Sequence, residues 1–372
     1  MSGSRDPWLL TPGPLTTSIE TKRAMLHDWG SRDDDFIQVN AEVRDRLVEL
    51  AEGGGDFTCV PVQGSGTFAV EAMVGTLVPR GGKLLVLING AYGMRIAKIC
   101  DYMGRAYATY ETPEDMPPEV AGIDAMLDAD PAITHVALVH CETTSGILNP
   151  VEEIAAAVAA KDRRLLVDSM SAFGALPFSL RAVPCDAVAA SSNKCFEGVP
   201  GMGFVLCRTA ALEAAEGNAH SLSLDLHDQW RAMEGNGQWR FTPPTHVIYA
   251  FHQALEEHAA EGGVEGRNKR YVENCRILID GMKALGFEPL LSDNLQAPII
   301  VTFRMPGDPN FEFQGFYDRL KDRGYVIYPG RLTVAESFRI GCIGRLGAEE
   351  MRGAVAAVGD VLAEMDVANG SP

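Results

Sequence analysis

Short apolar runs alternate with helical patterns through residues 58–207 of this 372-residue chain, and this alternation restricts the fold more than any other feature. The runs lie at residues 58–62, 84–88, 136–139, 165–167, 188–190 and 204–206. Val70, Met73, Val74 and Leu77 follow the first run with the spacing of a helix face. Fully apolar strands separated by helices are typical of a mostly parallel sheet that is covered on both faces. The sequence therefore predicts an α/β fold with a large domain built on such a sheet.

The pattern changes after residue 267. Here the sequence predicts helices at residues 267–285, 311–323 and 348–365, with strands at residues 298–304, 326–328 and 336–340. That order is typical of a small α+β domain packed on the first one. We therefore predict an N-terminal segment of residues 1–15, a large domain of residues 16–262 and a small C-terminal domain of residues 263–372.

The charge and composition exclude several classes of protein. A formal net charge of −18 argues against a nucleic-acid partner, because phosphate backbones require clustered Lys and Arg. No run approaches the ~18 apolar residues of a membrane span, and residues 1–8 lack the plan of a signal peptide. The eight cysteines contain no CxxC pair, so neither a metal site nor a disulfide framework is predicted. We expect a cytoplasmic protein with small-molecule partners, binding neither nucleic acid nor a membrane.

Two charged residues come at or just after the ends of two apolar runs. Asp168 follows the run at residues 165–167, and Lys194 follows the run at residues 188–190. Burial disfavours an ammonium group and lowers its pKa, as amine chemistry on a carbonyl requires. A strand-end aspartate for the ring nitrogen and a strand-end lysine for the imine are what a pyridoxal phosphate site needs. The alternative is a surface lysine beside a turn.

A glycine-rich turn at residues 63–68 lies between a strand and a helix. Its small residues let backbone N–H groups approach an anion, and Ser65 and Thr67 add hydroxyl donors. Ala69 stands where a dinucleotide fingerprint has its third glycine, and no Gly-Lys-Ser/Thr of a P-loop is present. A phosphate-binding turn and a plain tight turn both remain open.

Further candidates lie after other predicted strands, where open α/β sheets bind ligands. Tyr92 belongs to a glycine-rich turn at residues 89–95 and can stack on a planar cofactor or pack in the core. Thr143, in the segment 142–146, offers a hydroxyl. Arg339 stands in an otherwise apolar strand of the small domain, where its planar guanidinium suits a carboxylate or phosphonate. A salt bridge to a nearby acid is the alternative for Arg339.

Two other segments are less specific. Residues 28–36 are too aromatic and too charged for a plain linker, but their four carboxylates match no metal-binding loop, and a solvated turn is the better interpretation. Residues 238–246 are rigid and carry hydroxyls, and they are also compatible with a connector between domains.

Taken together, these segments resemble the small class-V aminotransferases of the pyridoxal-phosphate-dependent fold type I. The resemblance covers nearly the whole chain. It is carried by residues 10–17, Asp28-Trp29-Gly30-Ser31, Gly64-Ser65-Gly66-Thr67, Val167-Asp168-Ser169, Ser192-Asn193-Lys194, Thr242-Pro243-Pro244-Thr245 and Phe338-Arg339-Ile340-Gly341. It implies a large domain with a mostly parallel seven-stranded sheet and a small α+β domain.

The resemblance also implies roles for individual residues. Lys194 would form the imine with the cofactor, pyridoxal 5'-phosphate, and later move protons, while Asp168 would pair with the ring nitrogen. The other residues would hold the cofactor: Ser65, Gly66 and Thr67 its phosphate, Tyr92 the face of its ring, Thr143 its phenolic oxygen, with Asn193 assisting. Thr242 and Thr245 would reach the phosphate from the partner subunit of a homodimer. Arg339 would bind the anionic end of the substrate.

The implied activity is transfer of the amino group of 2-aminoethylphosphonate to pyruvate, giving phosphonoacetaldehyde and L-alanine in phosphonate degradation. The alternatives are an alanine–glyoxylate or serine–pyruvate aminotransferase on the same scaffold. A lyase or desulfurase is a further alternative, which would need a mobile cysteine in the small domain, where Cys342 is the candidate near the site.

Overall fold

The structure, a computed structural model, describes residues 6–330 and 332–372. The strands are, in chain order, β1 (Trp8–Leu9), β2 (Phe57–Gly64), β3 (Lys83–Ile88), β4 (Ala106–Glu111), β5 (Ile133–Val139), β6 (Cys141–Glu142), β7 (Ile147–Leu148), β8 (Arg164–Asp168), β9 (Ala187–Ser191), β10 (Gly201–Arg208), β11 (Ile300–Arg304), β12 (Tyr325–Val326), β13 (Tyr328–Pro329) and β14 (Ser337–Gly341).

The α-helices are α1 (Ile19–Arg23), α2 (Asp34–Leu50), α3 (Gly66–Leu77), α4 (Ala91–Met103), α5 (Val120–Ala129), α6 (Val151–Ala160), α7 (Thr209–Glu213), α8 (Leu226–Asn236), α9 (Thr245–Ala260), α10 (Gly263–Ala284), α11 (Phe313–Asp322) and α12 (Ala348–Glu364). Short 3₁₀ turns lie at Ala24–Leu26 and Gly54–Asp56. No helix within the described ranges combines the length and the apolar character needed to cross a membrane.

Within the described residues the central sheet has seven strands in the order β2-β10-β9-β8-β5-β3-β4. Its pairs are parallel except those that β10 makes with β2 and β9. The predicted mostly parallel seven-stranded sheet is therefore confirmed. Because β2, β3, β5, β8 and β9 run in one direction, the residues that follow them meet at one edge of the sheet.

Successive residues of the sheet contribute to two different hydrophobic cores. Leu85 and Leu87 pack in one cluster together with α2, α5, α6 and α9, whereas Leu84 and Val86 pack in the other together with α3 and α4. This follows from the period of two along a strand. Each fully buried Leu or Val contributes about 1.5–3 kcal/mol relative to an exposed one, which explains why these runs carry no polar residue.

The C-terminal part has its own sheet and core. Strands β11, β14 and β13 form an antiparallel sheet in which Thr302 is paired with Arg339. Phe303, Phe316 and Phe338 fill a separate core beneath α10, α11 and α12. The predicted α+β character is thus confirmed. β1 pairs in parallel with β12, so the start of the described chain is attached to this smaller part.

The structure corrects two predictions and adds elements that the sequence analysis did not predict. Residues 34–36 are not a solvated turn but the first turn of α2, which carries Asp34 and Asp35 at its positive end. Residues 91–95 are not part of a turn but the start of α4. The sequence analysis also missed β4 and α5, because β4 is a half-exposed edge strand with no continuous apolar run.

Candidate active site

Lys194 lies three residues beyond β9, in a loop under the N-terminal segment. Its Nζ donates a hydrogen bond to the carbonyl oxygen of Pro12. Burial lowers the pKa of its amine from 10.5 to about 8, although the neighbouring acidic groups oppose the shift. Gly13, at φ +123°, passes so close that a Cβ there would lie 2.8 Å from Nζ. The amine is therefore enclosed, with a neutral fraction near neutral pH.

A buried ion network lies behind the lysine loop. Glu197 accepts hydrogen bonds from the Tyr271 hydroxyl at 2.6 Å and from Arg270 Nη2 at 2.7 Å. The guanidinium of Arg267, 1% exposed, donates to the carbonyl oxygen of Cys195. Since Tyr271, Arg270 and Arg267 all belong to α10, this network fixes the lysine loop against that helix.

Asp168 ends β8 and is also buried. Burial raises the pKa of its carboxyl from 3.8 to about 6, against the opposing effects of a hydrogen bond from the Met170 N–H (3.0 Å) and the charges of Arg95 and Lys194. Asp168 and Lys194 line one cavity of about 270 Å³. The structure therefore brings together the two residues that the sequence singles out.

The predicted phosphate turn lines the same cavity through Ser65, Gly66 and Thr67. Helix α3 begins at Gly66, and the side chain of its N-cap residue, Ser65, makes no capping hydrogen bond. A Cβ on Gly66 would lie 2.4 Å from Met170 Sδ, so only glycine fits there unless Met170 moves. The first N–H groups of α3 thus remain available to an anion.

Helix α4 begins at the same sheet edge, but a protein carboxylate already occupies its N-terminus. Buried Glu142 accepts hydrogen bonds from the N–H groups of Tyr92 (3.0 Å), Gly93 (3.3 Å) and Thr144 (3.0 Å). Burial raises the pKa of its carboxyl, which these bonds oppose. An anionic ligand is therefore directed to α3 rather than to α4.

Helix α4 contributes Tyr92, Arg95 and Ile96 to the lining of this cavity. Arg95 Nη1 donates to Thr67 Oγ1 at 3.1 Å, and its guanidinium lies 4.7 Å from the centroid of the Tyr92 ring. The sequence analysis missed Arg95 because residues 89–95 were interpreted as a turn. The signal that would have found it is the helical i, i+3 spacing from Tyr92.

Arg339 lies in β14, 4% exposed, and lines a second cavity of about 190 Å³. Its Nη1 donates to the carbonyl oxygen of Thr143 at 2.7 Å, and its Nε and Nη2 donate to that of Pro329 at 3.1 Å. These carbonyl contacts fix the orientation of the guanidinium at the cavity wall. Gly13, Tyr92 and Arg95 line both cavities, so the two are adjacent.

Comparison with known proteins identifies the family of the chain. The class-V aminotransferase family model matches residues 30–319, which is more than half of the chain. The chain belongs to the class-V aminotransferase family.

Curated relatives cover almost the whole chain. It is 58% identical to a 2-aminoethylphosphonate–pyruvate transaminase from Pseudomonas putida (strain GB-1), over 98% of this chain and 99% of the relative. It is 57% identical to a protein of the same name from Pseudomonas aeruginosa (strain UCBPP-PA14), again over 98% and 99%.

Solved structures share the fold at lower identity. Alanine–glyoxylate aminotransferase from Nostoc sp. has a TM-score of 0.89 at 22% identity, with 96% of each chain covered. Aspartate aminotransferase of subgroup IV from Thermus thermophilus has a TM-score of 0.86 at 24% identity, covering 96% of this chain and 99% of that one. The fold is therefore fold type I, as the sequence predicts.

Class-V aminotransferases depend on pyridoxal 5'-phosphate, and the residues present fit this cofactor. The 270 Å³ cavity combines an amine with a lowered pKa, a carboxyl on a buried strand end and the uncapped N-terminus of α3. Two buried hydroxyls near it, of Thr143 and Ser191, have no hydrogen-bond partner among the described residues. An orphaned hydroxyl at a polar cavity is typical of a ligand site.

The remaining candidates divide into two groups. Asn193 lines the Lys194 cavity, and the backbone carbonyl of Thr143 contacts Arg339, which lines the adjacent cavity. Thr242 is exposed and lines a different cavity with Ser31 and Arg32, and Thr245 opens α9 outside both active-site cavities. Within one chain the structure does not bring these two threonines to Lys194.

Other arginines and cysteines can be placed as well. Arg345 is exposed and lines neither cavity, while Arg331 lies outside the described residues. Cys342 is fully buried in the core of the smaller part, and burial raises the pKa of its thiol well above 9.0. A buried neutral thiol does not suit the nucleophile of a desulfurase.

Proposed function

We propose that this aminotransferase transfers the amino group of 2-aminoethylphosphonate to pyruvate and releases phosphonoacetaldehyde and L-alanine. The observation that carries the proposal is the Arg339 cavity, which shares Gly13 and Tyr92 with the Lys194 cavity. A short substrate with an amine at one end and an anion at the other spans such a pair of cavities. The full-length similarity to relatives named for this reaction supports the same substrates.

The residues hold the cofactor in the following way. Gly66 and Thr67, with Ser65, bind its phosphate at the N-terminus of α3, and Tyr92 covers its ring. Asp168 pairs with the protonated ring nitrogen, while Thr143 and Asn193 bind the polar groups on the ring. When bound, pyridoxal phosphate supplies the electron sink that stabilises negative charge on the substrate carbon.

Lys194 carries the proton transfers. Because the pKa of its amine is about 8, a substantial neutral fraction exists near neutral pH, as a general base requires. The neutral amine removes a proton from the aminomethylene carbon of 2-aminoethylphosphonate. The protonated amine then returns this proton at a later step of the reaction. Arg339 binds the phosphonate in the first half-reaction and the carboxylate of pyruvate in the second.

A homodimer completes the site in this proposal. Thr242 and Thr245 lie away from Lys194 of their own chain. They bind the phosphate of the cofactor that the partner subunit holds. Leu222 and Phe241, which are 71% and 50% exposed, lie near Thr242 and give that surface an apolar character. Exposed large apolar side chains of this kind are typical of an interface.

A mixing experiment tests the shared site. Lys194→Ala chains are expected to be inactive and Thr242→Ala chains weakly active, and heterodimers formed from the two should regain one complete site. Light scattering gives the oligomeric state. A monomer, or a mixture without recovered activity, would contradict the shared site.

Two broader assignments belong to the same proposal. The chain divides into an N-terminal segment of residues 1–15, a large domain of residues 16–262 and a small domain of residues 263–372, with separate cores supporting the division. The protein works in the cytoplasm, which contains pyruvate and keeps thiols reduced, in agreement with the buried free cysteines of this chain.

The absorbance of the cofactor-loaded protein tests the function directly. Addition of 2-aminoethylphosphonate should bleach the visible band of the cofactor on Lys194, and pyruvate should restore it. Lys194→Ala should lose turnover. A protein that responds to L-alanine and glyoxylate but ignores the phosphonate would instead be one of the rival aminotransferases.

A further inference from the structure

Arg95 occupies the boundary between the two active-site cavities. It stands in the first turns of α4, three residues after Tyr92, and lines both the Lys194 cavity and the Arg339 cavity. Its guanidinium is held between Thr67 Oγ1 and the Tyr92 ring. The side chain is exposed to solvent and borders both cavities.

Arg95 forms no direct ion pair among the described residues, although its charge acts on Asp168, which lines the same Lys194 cavity. Its side-chain hydrogen bond goes to the neutral hydroxyl of Thr67. The described residues that line the Arg339 cavity include two arginines and no acid. Glu142, the acid beneath this wall, is engaged by the N–H groups of α4. In a chain of net charge −18, two arginines at one cavity make a local anion site.

Two positive charges exceed what a carboxylate needs. Pyruvate and alanine present one negative charge, which Arg339 alone can match. A phosphonate carries a second ionisable oxygen and approaches two negative charges above neutral pH, as phosphate monoesters do. Electrostatic matching therefore favours a phosphonate where two guanidinium groups converge.

We propose that Arg95 is a specificity-determining residue that supplies the second positive charge for the phosphonate, while Arg339 serves both phosphonate and carboxylate. This inference rests on the proposed function. The competing role for Arg95 is binding of the cofactor phosphate through its neighbour Thr67, and the two roles differ in which ligand loses affinity when the charge is removed.

The experiment compares Arg95→Gln and Arg95→Lys with a matched control, Lys98→Gln. Lys98 stands on the same helix and carries the same charge, but it lies over Tyr102 and lines neither cavity. Three quantities are measured on cofactor-loaded protein at pH 8. They are the dissociation constants of methylphosphonate and of acetate, the kcat/KM values for 2-aminoethylphosphonate and L-alanine, and the dissociation constant of pyridoxal phosphate.

Arg95→Gln should weaken the binding of methylphosphonate about tenfold to a hundredfold, as expected for the loss of one charge-assisted contact. It should weaken the binding of acetate by less than about threefold. The ratio of kcat/KM for the two amino donors should fall in the same proportion. Arg95→Lys should retain part of the preference because it keeps the charge, and Lys98→Gln should leave the ratio unchanged.

Two results would overturn the inference. Equal losses for both anions would show that Arg95 does not distinguish them, and weaker pyridoxal phosphate binding with an unchanged ratio would assign it to the cofactor. A wild-type protein that does not react with 2-aminoethylphosphonate would instead refute the proposed function. In that case the dissociation constants of methylphosphonate and acetate would still show whether Arg95 distinguishes the two anions.

Discussion

Arg339 Nη1 donates a hydrogen bond to the carbonyl oxygen of Thr143 at 2.7 Å. This bond joins β14 of the smaller part to the turn between β6 and β7, which follows β5 of the central sheet. The arginine proposed to bind the substrate is thus held in place by the segment proposed to contact the cofactor ring. The position of the substrate relative to the cofactor therefore depends on this contact between the two parts of the chain.

Arg339→Lys is expected to preserve the charge but lose the geometry. A lysine cannot donate to Thr143 and Pro329 at once and also present a planar fork to an anion. We expect kcat/KM for 2-aminoethylphosphonate to fall about tenfold to a hundredfold, with little change in cofactor affinity. Steady-state kinetics measure this, with Arg304→Lys on the neighbouring strand as the control; equal kinetics for both variants would contradict it.

Gly13→Ala is expected to displace Lys194. The new Cβ would lie 2.8–2.9 Å from the last three atoms of the lysine side chain, at a φ of +123° that alanine rarely adopts. Backbone strain of this kind costs about 1–3 kcal/mol, and the moved amine should capture pyridoxal phosphate more slowly. Stopped-flow absorbance follows the capture. Gly55→Ala, where a Cβ meets nothing within 4 Å, should behave as wild type.

Asp168→Asn is expected to change how stability depends on pH in the cofactor-free protein. The pKa of Asp168 is raised from 3.8 to about 6 in the folded state, so the folded state binds more protons than the unfolded state between these values. The contribution of Asp168 to the free energy of unfolding therefore falls as the pH rises from about 4 to 6, by at most about 3 kcal/mol.

Urea unfolding at a series of pH values measures this effect. The free energy of unfolding of Asp168→Asn minus that of wild type should increase across that window and stay constant above pH 7. Asp293→Asn, an exposed control, should show no such trend. A constant difference for Asp168→Asn at every pH would contradict the prediction, and the variant should in any case lose transaminase activity.

Glu142→Gln is expected to destabilise the start of α4. The amide has one acceptor oxygen where the carboxylate has two, so either the N–H groups of Tyr92 and Gly93 or the N–H of Thr144 lose their buried acceptor. Leaving such a donor unsatisfied costs about 1–3 kcal/mol, which urea unfolding measures. Glu153→Gln, in the exposed first turn of α6, provides the comparison, and an equal effect of the two substitutions would disprove the role of Glu142.

The sequence predicted most of what depends on local pattern. The strands that end in Asp168 and near Lys194 were predicted because a strand covered on both faces must be apolar throughout, and a charged residue at its end is conspicuous. The turn at Gly66 was found for a similar reason, since small residues between a strand and a helix leave N–H groups accessible.

The elements that were missed lack such a pattern. Strand β4 has half-exposed residues and no continuous apolar run. Helix α4 was hidden by Gly93, a residue that disfavours helices but is needed because a Cβ there would lie 2.9 Å from the backbone of Leu87 and Ile88. With the helix unseen, Arg95 could not be aligned with Tyr92.

The sequence by itself determined the order of the buried strands that it predicted, their apolar character and the two strand-end residues, because these follow from periodicity and burial along a single segment. Only the tertiary structure decided that Glu142 fills the N-terminus of α4, that Gly13 encloses Lys194 and that Arg95 and Arg339 face one cavity. Those relationships join residues far apart in the chain, and they arise from how the sheet edge, α4 and β14 pack together.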